Sequence, residues 1–139
     1  MRLTDLKSIF NLPDIDFVDL QYGDTKKEKK EIKDNFGNGL IEMTDIDNFN
    51  DISELAALIN VCDFVITASN VTAHIAGALN KKTYLIVPYT DGRIWYWGID
   101  EHKSLWYPSI QILRSDKLQD WQAPIKNLKD LLSQEINYE

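Results

Sequence analysis

A chain of 139 residues with 44% hydrophobic side chains can bury a real core as one domain and is too apolar to be disordered. Its formal net charge of −7 argues against a nucleic-acid-binding surface, which needs a basic stripe. No apolar run approaches the roughly 20 residues of a membrane span, Met1-Arg2-Leu3 does not open a signal peptide, and the single cysteine, Cys62, leaves neither an internal disulfide nor a cysteine-based metal site; a cytoplasmic location is expected.

In chain order, a helix is expected over Leu3–Phe10 and a strand over Phe17–Leu20. Lys26, Lys27, Lys29, Lys30 and Lys33, with Glu28, Glu31 and Asp34 interleaved, read as a solvated helix face. Leu40–Glu42 is a second short strand. Ile52, Leu55, Ala56 and Ile59 follow the i, i+3, i+4, i+7 spacing of one buried helix face, capped by Asn50 or Asp51, and Cys62 at its end is a small core residue. The next strands, Phe64–Thr67 and Thr83–Val87, contain the continuous apolar runs Phe64-Val65-Ile66 and Tyr84-Leu85-Ile86-Val87, as strands covered on both faces do. Between them Val71, Ile75, Ala78 and Leu79 repeat the helical spacing. Ser109–Leu113 is a fifth strand, and a last helix starts near Pro124, a favoured first-turn residue, and buries Ile125, Leu128, Leu131 and Leu132. This alternation predicts an α/β fold: a Rossmann-like, doubly wound parallel sheet in a single domain over residues 1–139.

Two segments carry candidate chemistry. The first is Asp63–Leu79, where a buried strand runs through Thr67-Ala68-Ser69-Asn70 directly into a helix. Ser69 or Asn70 is a natural N-cap, and the first-turn N–H groups carry the positive end of the helix dipole, which suits a pyrophosphate without a metal. Thr72 adds a hydroxyl donor, and His74, at the border of the apolar face, can donate to a phosphate oxygen; a histidine in that position is also a common core residue. Neither Gly-x-Gly-x-x-Gly nor a Gly-Lys-Ser/Thr loop is present. The second segment is the long loop Pro88–Pro108, with Arg93, Trp95, Trp97, Trp106 and Tyr107. It follows a central strand at the carboxyl edge of the sheet, where open α/β folds bind ligands. Arg93 could meet a phosphate there, and Trp95 and Trp97 could stack on a base, pack the loop down, or do both.

The stretch Ser69-Asn70-Val71-Thr72-Ala73-His74-Ile75-Ala76-Gly77-Ala78-Leu79 resembles the donor-binding signature of bacterial glycosyltransferases with tetratricopeptide repeats and of the related heptosyltransferases. Phe17-Val18-Asp19-Leu20-Gln21-Tyr22-Gly23-Asp24, Asp51–Ile59, Trp95-Tyr96-Trp97, Leu105-Trp106-Tyr107-Pro108-Ser109 and Trp121 resemble further family segments in collinear order. The resemblance implies a GT-B transferase, of which these residues would be the C-terminal, nucleotide-sugar-binding half, without its first strand and without the N-terminal acceptor domain that usually supplies the general base. It gives diphosphate contacts to Ser69, Asn70, Thr72 and His74, with His74 in the catalytic role, and a lining role to Gln21, Tyr22 and Gly23. Ser69-Asn70 departs from the Asp-Thr of many relatives, and Lys82 stands where a proline is common. The expected donor is a nucleotide-diphosphate-sugar and the acceptor a hydroxyl, with no cofactor or metal, and the sheet edge left open is expected to favour self-association. The alternative is a truncated nucleotide-binding or interaction module without catalytic activity.

Overall fold

The structure is a computed structural model that describes residues 1–37, 40–89, 95–98, 102–118 and 120–136. It is a mixed α/β fold in which every strand pairing is parallel. A 3-10 turn over Leu3–Leu6 leads to β1 (Phe17–Val18), α1 (Lys26–Phe36), β2 (Leu40–Ile41), α2 (Ile52–Val61), β3 (Val65–Ala68), α3 (Val71–Ala78), β4 (Thr83–Tyr89), a second 3-10 turn (Trp95–Trp97), β5 (Ile110–Leu118) and α4 (Gln122–Ile136). The strands form two sheets, β1-β2 and β3-β4-β5. Among the described residues, no helix is long and apolar enough to cross a membrane.

Burial follows the strand periodicity. Tyr84 and Ile86 of β4 face one way, onto Leu3, Leu6, Ile9, Ile32 of α1 and Ile125, Leu128 and Leu132 of α4. Leu85 and Val87 face the other way, onto Ala73, Trp97, Ile110 and Ile112. A third cluster joins Leu55 and Ile59 of α2 to Val65 and Ala76, so α2 and α3 pack side by side. Both faces of the three-stranded sheet are therefore covered, which is why its strands read as continuous apolar runs.

Several boundaries differ from the sequence reading, each for a local reason. The expected N-terminal helix is only a 3-10 turn at Leu3–Leu6, followed by turns in which Ile9 N–H donates to the Leu6 carbonyl and Leu12 N–H to the Ile9 carbonyl, the i to i−3 pattern in place of the α-helical one. It is held by Arg2 N–H donating to Asp5 at 2.7 Å and Leu3 N–H donating to Glu28 at 2.6 Å. β1 stops at Val18 because the Asp19 carboxylate accepts the Gln21 N–H at 2.9 Å and bends the backbone off the ladder. β5 runs on to Leu118 through Arg114 and Lys117. As a sheet edge it tolerates charge there, and the Arg114 guanidinium donates to the carbonyls of Trp97 and Gly98. The helix caps match expectation: Asp51 accepts from the N–H groups of Ser53 and Glu54, each at 2.9 Å. Cys62 is half-buried rather than central, its thiol donating to the Leu58 carbonyl.

The lysine-rich helix α1 buries only Ile32, as a solvated face should, but Lys29 departs from that pattern. Its ammonium reaches Asp19 at 3.0 Å and Glu42 at 2.8 Å, and Asp19 is only 6% exposed. The hydrogen bond to Glu42 is the main cause that raises the Lys29 pKa; burial works against it and Asp19 adds to it. Lys29→Met is expected to cost about 1–2 kcal/mol in denaturant unfolding. The loss strands a buried carboxylate, discounted because the ammonium keeps some solvent and Asp19 keeps its Gln21 N–H. An unchanged midpoint would show that Asp19 is satisfied without the cation.

Candidate functional site

The Thr67–His74 segment builds a helix N-terminus at the carboxyl end of β3. Asn70 is the N-cap: its backbone is extended, and its side-chain oxygen accepts from the Ala73 N–H at 3.3 Å and from the Thr67 hydroxyl at 3.1 Å. The fold thus uses the amide oxygen of Asn70 for the cap. Thr72, within the first turn, is 3% exposed.

A cleft of about 760 Å³ opens beside this helix start. It brings together the carboxyl ends of β1 and β3, so Gln21 and Tyr22 share its lining with Ala68, Asn70 and Thr72. Gln21 Oε1 and Asn48 Oδ1 are buried side-chain acceptors without a hydrogen-bond partner among the described residues. Such acceptors usually find one, and a hydroxyl donor would satisfy them. Asn48 Nδ2 donates to the Asp19 carbonyl at 3.3 Å, which ties this loop to the end of β1. The Tyr22 and Phe49 rings lie 6.0 Å apart, and both are exposed. Gly23 has φ +87°, a conformation that needs glycine, and lets the chain turn away after Tyr22.

Ser69 and His74 sit differently, in an aromatic cluster on the far side of α3. Trp97 is 1% exposed, and its indole N–H donates to Ser69 Oγ at 2.9 Å. The His74 ring stacks on Trp97 at 5.0 Å with 27° between planes, and Tyr96 meets it edge-on at 4.9 Å. Its Nδ1 lies 3.3 Å from Tyr107 Oη, and Tyr96 Oη donates to the same oxygen at 3.2 Å. The hydrogen bond to Tyr107 holds the Tyr96 phenol above its ordinary pKa. Tyr107 is thus the partner that can fix the His74 tautomer. The cluster is tight enough to need Gly77, where an added Cβ would fall 2.4 Å from Tyr107 Cγ.

The structure therefore separates the expected site residues into two groups. Gln21, Tyr22, Asn70 and Thr72 meet at the cleft, while Ser69 and His74 belong to the aromatic cluster. Trp95 is 74% exposed and touches Tyr96 edge-on. Arg93 and much of the Pro88–Pro108 loop lie outside the described residues. The sequence reading does not single out Asn48 or the Asp19–Lys29–Glu42 set; for Asn48 the available signal is the run Asp45–Asp51, where Asp47 accepts from the N–H groups of Phe49 and Asn50, while the three charged residues are far apart in sequence and carry none.

Over 114 residues, 82% of its length, the chain is 30% identical to Protein FlbA of Caulobacter vibrioides. The matched region is 18% of that protein, so the chain spans less than a fifth of this relative. No family model and no solved structure matches the chain.

Proposed function

We propose that this chain is the nucleotide-sugar-binding unit of a GT-B glycosyltransferase, with a Rossmann-like, doubly wound sheet as its frame. The observation that carries the reading is the α3 N-terminus, capped by Asn70, opening on the cleft where Gln21 and Tyr22 also end. Parallel α/β folds bind ligands at the carboxyl ends of their strands, and a helix N-terminus there favours an anion. The diphosphate lies against the first-turn N–H groups, Thr72 and the Asn70 amide nitrogen. Gln21 Oε1 accepts from a hydroxyl of the sugar or ribose, and Tyr22 with Phe49 offers aromatic surface to the base. The departing diphosphate is stabilised electrostatically, with fixed donors aimed where negative charge develops. The match to a small part of a long relative is compatible with a unit that works inside a larger protein.

The packing of His74 on Trp97 favours a second reading, a nucleotide-binding module without transfer, because a histidine held by rings is explained by packing alone. Calorimetric titration of the 139-residue chain with UDP, GDP, ADP and their sugar conjugates, in EDTA, tests what both readings share. Saturable binding of at least one diphosphate is expected, weakened by Asn70→Ala, with no binding of the free nucleoside. No saturable binding by any of them defeats both readings. The isolated chain is expected not to transfer sugar, since catalysis by positioning requires both substrates to be held together; saturable transfer to a defined hydroxyl acceptor would overturn that.

A further inference from the structure

Asp19, just past the end of β1, anchors two side chains whose acceptor oxygens the fold leaves over. It is 6% exposed and bonded through its backbone and both carboxylate oxygens. Its N–H donates to the Ile41 carbonyl at 2.8 Å, and Lys29 holds one carboxylate oxygen at 3.0 Å. The other carboxylate oxygen takes the Gln21 N–H at 2.9 Å, and the Asp19 carbonyl takes Asn48 Nδ2 at 3.3 Å. The loop that carries Asn48 is held as well. The Asp47 carboxylate accepts from the N–H groups of Phe49 and Asn50, and the Asp47 N–H donates to Glu54 at 3.0 Å. With Nδ2 spent on a carbonyl, which can only accept, Asn48 Oδ1 is fixed as an acceptor. Both it and Gln21 Oε1 are buried without a hydrogen-bond partner among the described residues. A buried acceptor left so costs free energy, and a donor on a ligand removes that cost.

We propose that Gln21 Oε1 and Asn48 Oδ1 receive the vicinal hydroxyls of a ribose, so that this chain takes ribonucleoside diphosphates in preference to their deoxy forms. The inference rests on the diphosphate reading above and adds to it which part of the nucleotide is read. Position separates the ribose from the other hydroxyl-bearing part of the ligand. Gln21 immediately precedes Tyr22, and Asn48 immediately precedes Phe49, so each acceptor belongs next to one ring of the pair that offers surface to the base. Asn70, in the same cleft, belongs to the diphosphate end. In a nucleotide-sugar the ribose is joined directly to the base, whereas the transferred sugar hangs beyond the diphosphate. The ribose brings two adjacent hydroxyls, and Gln21 and Asn48 bring an acceptor each. A hydroxyl also rotates to aim its proton, which the fixed N–H groups of a base cannot do. Asp19 holds both acceptors from one buried residue, the rigid support that discrimination by a single oxygen atom requires.

The test titrates the 139-residue chain with UDP, GDP and ADP, and then with the 2′-deoxy and 3′-deoxy forms of whichever binds most tightly. The ribonucleotide is expected to bind on the order of tenfold or more tighter than either deoxy form. Gln21→Met keeps the length of the side chain and the backbone N–H bond to Asp19 but removes the acceptor, so the ratio of ribose to deoxy affinity should fall towards one. Asn48→Leu removes the other acceptor. It also loses the bond to the Asp19 carbonyl, which weakens every ligand, and the ratio remains the readout. A merely structural role weakens ribose and deoxy ligands alike, so a ratio unchanged from the parent in both variants overturns the assignment of these residues. A parent that binds ribonucleotide and deoxy forms equally overturns the inference and leaves the diphosphate reading standing. No saturable binding of any ribonucleoside diphosphate defeats that reading and this inference with it.

Discussion

Gly77→Ala lowers the stability of this protein by about 2–3 kcal/mol, although the same change in an exposed helix would raise it by roughly 1 kcal/mol. The sign follows from one contact. A Cβ at Gly77 would fall 2.4 Å from Tyr107 Cγ and 2.7 and 2.8 Å from its two Cδ atoms, well inside van der Waals separation. The clash is with the root of the ring and not with a flexible tip, so Tyr107 cannot swing aside alone. Its backbone N–H is held by Ser104 Oγ at 3.2 Å, and its hydroxyl contacts both His74 and Tyr96. Relief requires α3 to move off β4 or the cluster around Trp97 to open, and either loses buried aromatic contact. Thermal and urea unfolding of the variant measure the effect. A melting temperature at or above that of the parent would mean that Tyr107 does not rest on α3.

The same contact shows which features a sequence carries and which it hides. The apolar runs at Val65–Ile66 and Tyr84–Val87 announced covered strands because both faces of that sheet are packed. The α3 cap was legible as Ser69 or Asn70, because few residue types both leave a strand and start a helix, and the structure selects Asn70. What escaped depended on partners distant in sequence. Nothing around Asp19 shows that its carboxylate bends the strand and takes Lys29, and nothing around Arg114 shows that it secures the Trp97 turn and lets β5 run past its apolar part. His74 is the sharpest case. Its helical position allowed either a phosphate ligand or a packed ring, and only the approach of Trp97, Tyr96 and Tyr107 decides what surrounds it.

That surrounding also decides how the role of His74 must be measured. His74→Ala removes a ring stacked on Trp97 and is expected to lower stability whether or not the nitrogen meets a ligand, so a loss of affinity in that variant is ambiguous. His74→Phe separates the two effects. Phenylalanine keeps a flat ring for Trp97 and an edge for Tyr96, and Tyr107 keeps its hydroxyl contact with Tyr96, so stability should fall by less than about 1 kcal/mol, as in volume-conserving swaps. It removes both ring nitrogens, and with them the Nε2 donor that the family resemblance would direct at a diphosphate oxygen. Because His74 lies apart from the cleft, diphosphate affinity close to the parent's is expected, whereas a contact by Nε2 would be read as a loss of about 1–3 kcal/mol, roughly 5- to 150-fold, the scale of a hydrogen bond to a charged group. Asn70→Ala serves as reference, because it damages the helix cap and the cleft together. If His74→Phe binds nucleoside diphosphate as tightly as the parent while Asn70→Ala does not, His74 supports the aromatic cluster only. The charge of the diphosphate then rests on the α3 N-terminus and Thr72.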